Sequence, residues 1–111
     1  MKYKLLILDD EQEILEMLSA CFQEDVQLFL ENEGEAALRR IASERPNVAI
    51  IDINLPGKSG LEVLKEAKKI DPGLAVIMAT GQGTTKTAIE SMKLGAYDYL
   101  PKPFDVRKMQ T

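Results

Sequence analysis

The chain predicts an α/β architecture built on a doubly wound, parallel β-sheet. Three observations carry that prediction. Short apolar runs alternate with segments of helical period from one end of the sequence to the other. The apolar runs lack polar alternation, which is the habit of strands covered on both faces, as in parallel sheets. No repeat, linker or low-complexity stretch interrupts the alternation, so one domain over residues 1–111 is expected.

The elements follow in order. "KLLIL" (4–8) reads as the first strand. Glu11 to Gln23 then carries Ile14, Leu18, Cys21 and Phe22 at helical spacing. "VQLFL" (26–30) is the second strand, and Glu33 to Ser43 brings Ala37, Leu38 and Ile41 onto one helical face. "RPN" punctuates the return to "VAIID" (48–52), the third strand. Leu61 to Ile70 carries Leu61, Leu64 and Ala67, and "DPG" leads into "LAVIMAT" (74–80), the fourth strand. Thr84 to Leu94 carries Ala88, Ile89 and Met92, with Gly95 as its C-terminal cap. "YDYL" (97–100) is a shorter fifth strand. Right-handed crossovers place helices on both faces. Five strands without a glycine-rich dinucleotide fingerprint favour the flavodoxin-like (βα)5 sandwich, strand order 2-1-3-4-5.

Composition excludes several function classes. The net charge is −4 with acids and bases interspersed, and no Lys/Arg block stands out, so this chain is not expected to bind nucleic acid. There is no histidine, which removes Ser-His-Asp chemistry, histidine-type zinc sites and a phosphohistidine carrier together. The lone Cys21 forbids an internal disulfide and points to a reducing, cytoplasmic setting, with the thiol packed on the apolar face of its helix. No apolar run approaches the roughly 20 residues of a membrane span. The opening "MKYKLLILDD" ends in acids, not in a small-residue cleavage site, so it is not expected to act as a signal peptide.

Ligands of an open parallel sheet bind outside the carboxyl ends of the strands, where the strand order reverses. In the expected order that crevice lies between strands one and three. Asp9 and Asp10 end strand one, Asp52 ends strand three, Thr80 ends strand four and Lys102 follows strand five. Taken singly, each acid is a common helix cap. Taken together, they all fall on one edge. Three carboxylates in one crevice repel, so a cation must compensate or one must hold a proton. Lys102 offsets one charge. A hard divalent cation offsets two, and oxygen donors with room for water suit Mg²⁺. A carboxylate is also a nucleophile toward phosphorus, and phosphoryl transfer asks mainly for positioning and charge stabilisation.

Three other readings compete. "GQGTTKT" (81–87) follows a strand and opens a helix, yet lacks the spacing of a P-loop or of a dinucleotide fingerprint. A small Mg²⁺-dependent phosphatase with an aspartate nucleophile would want a second acid two residues beyond Asp52, where Asn54 stands. A flavin-binding module of the same fold would want more aromatic residues than three Tyr and three Phe.

"ILDDE", "IIDINLPGKSGLEVL", "IMATGQG" and "GAYDYLPKPFD", in this order and spacing, resemble the receiver domains of bacterial two-component response regulators. The likeness runs from Lys2 to about Asp105. It implies that Asp52 is the phosphoacceptor, attacking the phosphohistidine of a histidine kinase or histidine phosphotransfer protein. It further implies that Asp9, Asp10, Asp52 and the backbone carbonyl of Asn54 hold Mg²⁺, with Asp10 the direct ligand and Asp9 holding metal-bound water. Glu11 would instead begin the helix, its charge favouring the N-terminal dipole. Lys102 and Thr80 would contact the phosphoryl group, and Thr80 and Tyr99 would form the switch. The Lys102–Pro103 bond would be cis. Asn54 and Gln82 would tune phosphoryl lifetime. The resemblance makes the chain a signalling domain that catalyses only its own phosphorylation and dephosphorylation. The fourth helix and fifth strand, with Lys86, Lys93 and Tyr97, would form the face read by an output domain. "TTKTAIESMKLGAYDYLPKPFD" is most similar to the enhancer-binding nitrogen-regulator class, whose output is an ATPase acting on an alternative sigma factor, followed by a DNA-binding helix pair. After "KPFD" only Val106 to Thr111 remain where the family continues through a fifth helix. Lowered stability, or pairing with another chain as a dimer, is expected from that short end.

Overall fold

The computed structural model describes residues 3–21, 26–55, 57–80 and 85–101. Five strands and four helices alternate: β1 (Tyr3–Leu8), α1 (Gln12–Cys21), β2 (Val26–Glu31), α2 (Gly34–Glu44), β3 (Val48–Asp52), α3 (Gly60–Ile70), β4 (Ala75–Thr80), α4 (Thr85–Lys93) and β5 (Asp98–Pro101). All strand pairs are parallel and the order is β2-β1-β3-β4-β5, as the sequence predicts.

The uninterrupted apolar runs have a simple cause. Leu6 and Leu8 of β1 face one layer while Leu5 and Ile7 face the other, and all four are buried. On the first face they meet Ala49, Ile51, Val76 and Met78 of the neighbouring strands, with Ala37, Leu38 and Ile41 of α2 and Val63, Leu64 and Ala67 of α3. On the second face Leu5 and Ile7 pack with Ile50, Ala79 and Leu15 of α1. A period of two with both faces apolar leaves no polar positions in the middle of the central strands β1, β3 and β4.

Helix ends are set by local chemistry. Ser59 caps α3, its hydroxyl accepting from the Glu62 amide at 3.3 Å. Gly95 follows α4 at φ +100°. The Gly95 amide donates to the Met92 carbonyl and that of Ala96 to the Ser91 carbonyl, the paired bonds of a left-handed C-terminal cap.

Two sequence expectations shift. On α3 the buried set is Val63, Leu64 and Ala67, while Leu61 is only half-buried. On α4 the apolar residues Ile89 and Met92 are 52% and 50% exposed, and Ser91 is fully buried in their stead. The Ser91 hydroxyl donates to the Thr87 carbonyl one turn earlier at 2.8 Å, so it is satisfied inside its own helix and packs like a small apolar residue. The expectations for the side chains of Ile14, Leu18, Cys21 and Phe22, and for everything from Lys102 to Thr111, lie outside the described residues. No helix among the described residues is long and apolar enough to cross a membrane.

Candidate functional site

The carboxyl ends of β1, β3 and β4 lie side by side. Leu8 is in register with Ile51 across β1 and β3, and Asp52 with Ala79 across β3 and β4. The polar residues that terminate these strands therefore share one edge. Three of them are buried against expectation for their type: Asp9 is 2% exposed, Asp52 3% and Thr80 1%.

Asp9 is fixed from both sides. Its amide donates to the Glu31 carbonyl at the end of β2, at 3.1 Å. Its Oδ1 accepts the Glu11 amide at 2.9 Å, a tight turn that delivers the chain to α1. Asp10, between them, is exposed. The Glu11 carbonyl accepts from the Leu15 amide, so Glu11 caps α1 with its charge on the positive end of the helix.

Asp52 is built the same way. Its Oδ1 accepts the Asn54 amide at 3.1 Å. The Ile53 amide donates to the Ala79 carbonyl, and the Ile53 carbonyl accepts from the Gly60 amide, at 2.9 and 3.0 Å. The loop between Asp52 and α3 is thus tied to β4 on one side and to the start of α3 on the other. Gly60 permits this approach: a Cβ there would stand 2.2 Å from the Asp52 carbonyl oxygen and 2.6 Å from Ile53 Cα. Further along the loop, Lys58 Nζ reaches Glu35 of α2 at 3.0 Å and Glu66 of α3 at 2.7 Å. The hydrogen bonds its ammonium donates to those two carboxylates, Glu66 first, hold its pKa well above the ordinary lysine range.

Thr80 faces this loop directly, for the Asn54 side-chain amide donates to its hydroxyl. Tyr99 lies half-buried against the core, with its hydroxyl 3.2 Å from Thr87 Oγ1 on α4. One oxygen from each of Asp9, Asp10, Glu11 and Asp52 can be chosen so that all lie within 4.8 Å of one another. Opposite oxygens around Mg²⁺ stand about 4.2 Å apart, from a Mg–O distance of about 2.1 Å. Small side-chain rotations would therefore close this all-oxygen set on such a cation, and the donor chemistry fits it.

Asp9, Asp10, Asp52, Asn54 and Thr80 are thus gathered as the sequence predicts. Tyr99 sits one strand away, in register with Met78. Lys102 follows Pro101, whose register partner is Thr80, but it lies outside the described residues, as does Gln82. Two features escape the sequence reading. Glu11 joins the acidic group as well as capping its helix, which its place beside Asp9 and Asp10 could have suggested. The Asn54–Thr80 bond has no sequence signal, because it joins residues 26 positions apart.

The pattern of the response regulator receiver domain matches residues 5–111. The chain belongs to the response regulator receiver family. Among its receiver relatives, sporulation initiation phosphotransferase F of Bacillus subtilis is 37% identical, the match covering 99% of this chain and 90% of that one. The nitrogen assimilation regulatory protein NtrX of Azorhizobium caulinodans is 34% identical, over 98% of this chain and 25% of NtrX. That likeness supports the nitrogen-regulator class read from the sequence. The chain spans about a quarter of the length of such longer regulators. A CheY-like receiver domain protein from Methanospirillum hungatei superposes with a TM-score of 0.95 at 31% identity, covering 99% of this chain and 89% of that one. Receiver domains are signalling domains phosphorylated on an aspartate, so the phosphatase and flavin readings fall away.

Proposed function

We propose that Asp52 accepts a phosphoryl group from the phosphohistidine of a partner histidine kinase or phosphotransfer protein. The observation that supports this most is a nearly buried strand-end carboxylate with the oxygens of Asp9, Asp10 and Glu11 within 4.8 Å, next to a buried threonine hydroxyl. A carboxylate oxygen of Asp52 attacks phosphorus with a lone pair, an O–P bond forms, and the P–N bond to the donor imidazole breaks with its electron pair leaving on nitrogen. Asp9, Asp10, Asp52 and the Asn54 carbonyl would hold Mg²⁺, which would supply positive charge to the phosphoryl oxygens when bound. The tight turn at Asp9 holds the acidic edge in place, and the tied loop after Asp52 orients the acceptor. Thr80 donates to a phosphoryl oxygen, and Lys102 pairs with the new charge.

The new group then shifts a two-state equilibrium. Thr80 moves toward the phosphoryl group, Tyr99 responds, and the face of α4 and β5 changes for an output domain, by its class a transcriptional one. Ile89 and Met92 of α4, and Tyr97 just before β5, already stand exposed. In this reading residues 1–111 are one receiver domain in the cytoplasm, and the chain turns over no free substrate.

Mass spectrometry after incubation with a small phosphodonor and Mg²⁺ tests the reading. One acid-stable, base-labile phosphoryl group is expected on Asp52, and none on the Asp52→Asn variant. Equal uptake by the variant, or none by the native chain, overturns it.

A further inference from the structure

The Asn54 side-chain amide donates to the hydroxyl of Thr80, joining the loop after the acceptor to the switch residue. Thr80 is buried at the end of β4 and Asn54 is exposed, so the bond reaches from the surface loop to a side chain that the switch must move. An amide can satisfy a hydroxyl with either end, so a flip of Asn54 keeps Thr80 engaged. The backbone that carries Asn54 is itself held: the Asn54 amide is bonded to Asp52, and Ile53 just before it is bonded to both Ala79 and Gly60. Asn54 is therefore a stationary partner, and Thr80 the movable one.

We propose that Asn54 is a latch which holds Thr80 in its resting position and so sets how readily the chain enters its phosphorylated conformation. The inference rests on the phosphoacceptor reading of Asp52. When Thr80 turns its hydroxyl to the phosphoryl oxygens, the bond to Asn54 must be broken or remade at a new angle. A residue at position 54 that cannot bond Thr80 lifts that opposition. Asn54 acts here through Thr80, as a positioning residue.

The test uses beryllofluoride, a tetrahedral anion that occupies the place of a phosphoryl group on a carboxylate, with Mg²⁺ present. Asn54→Leu keeps the size of the side chain and removes the bond. The latch predicts that Asn54→Leu raises apparent beryllofluoride affinity from about twofold to about tenfold, the range of one net hydrogen bond. In the anion-free variant, the Thr80 amide resonance should move toward its beryllofluoride-bound position. The gain should vanish when Asn54→Leu is placed on Thr80→Val, which has no hydroxyl to latch, and persist on Thr80→Ser, which has one. An unchanged or lowered affinity overturns the latch, lowered affinity meaning that Asn54 holds the anion itself. An equal gain on the Thr80→Val background also overturns it. If the native chain binds no beryllofluoride, the phosphoacceptor reading falls and the latch with it. If the native chain binds and Asn54→Leu binds no better, the latch alone falls.

Discussion

Replacing Gly60 by alanine should both destabilise the chain and slow its phosphorylation. The added Cβ would stand 2.2 Å from the Asp52 carbonyl oxygen, 2.6 Å from Ile53 Cα and 2.9 Å from the Asp52 carbonyl carbon. All three are backbone atoms of the strand that presents the acceptor, so no side chain can rotate away. Ordinary contact between such atoms begins near 3.5 Å, so α3 and β3 must separate by on the order of 1 Å. Overpacking of this kind costs about 1–3 kcal/mol. Losing the 3.0 Å bond from the Gly60 amide to the Ile53 carbonyl adds about 0.5–1.5 kcal/mol. The stiffer unfolded chain of the alanine variant returns about 0.4–1 kcal/mol. The net is about 2 kcal/mol, or a fall of about 10 °C in Tm for a chain of this size. A shift of that order at the acceptor should slow phosphoryl uptake by up to about 100-fold. Thermal melts and single-turnover labelling read the two effects. Gly34→Ala is the control, because its closest contact would be one side-chain atom, Val63 Cγ2 at 2.8 Å, where Gly60→Ala meets three backbone atoms under 3.0 Å, and it should cost less. A Gly60→Ala variant that melts within about 2 °C of the native chain would refute the steric argument.

Three further outcomes are expected. Tyr99→Phe removes the 3.2 Å contact to Thr87 and should cost about 0.5–1.5 kcal/mol in urea unfolding, and the losses from Tyr99→Phe and Thr87→Val should be less than additive when combined; fully additive losses would show that the two hydroxyls do not bond. Asp10→Ala should weaken Mg²⁺ binding at least about tenfold in a fluorescence or calorimetric titration, and an unchanged Kd would remove Asp10 from the metal site. Lys58→Met should lower Tm slightly, and the difference from the native chain should shrink in high salt. The sign with pH follows from the raised lysine pKa. The stabilisation is complete below the unfolded-state pKa and is lost only as pH climbs through the still higher folded-state value, so the lysine's own titration leaves it flat between about pH 6 and 9. A difference that disappears within that window would contradict the two ion pairs.

The architecture was legible because burial on both faces writes itself into the strands. "KLLIL" and "VAIID" contain no polar interior residue, and the first departure from that rule, at Asp9 and Asp52, marks the functional edge. The helices were legible to different degrees. The α2 face holds Ala37, Leu38 and Ile41 as their spacing predicts, and α3 shifts by adding Val63. On α4 the reading fails, because burial there goes to Ser91, whose hydroxyl is satisfied within the helix, while Ile89 and Met92 point outward. Hydrophobicity cannot foresee that inversion, since a self-bonded serine is polar by composition and nearly apolar in effect. The contacts of Asn54 with Thr80 and of Thr87 with Tyr99 depend on side-chain torsions and carry no periodic signal.

Magnitudes also separate the parts of the site that stay from the parts that move. Around Asp52 the backbone is held by the Ile53–Ala79 and Gly60–Ile53 bonds and by the close approach of α3, so displacing it breaks several contacts at once. Thr80 and Tyr99 touch the neighbouring elements through their hydroxyls, and each such bond is worth a net of about 0.5–1.5 kcal/mol. A hydrogen bond to a phosphoryl oxygen is charge-assisted and worth about 1.5–3 kcal/mol. One such bond can therefore outweigh the Asn54–Thr80 bond, but not the bonds and steric contacts that fix the acceptor strand. In the proposed reading, phosphorylation would by this comparison leave β3 in place and move Thr80. In that reading, what position 54 offers the threonine hydroxyl is one determinant of how far the resting population leans toward the switched form.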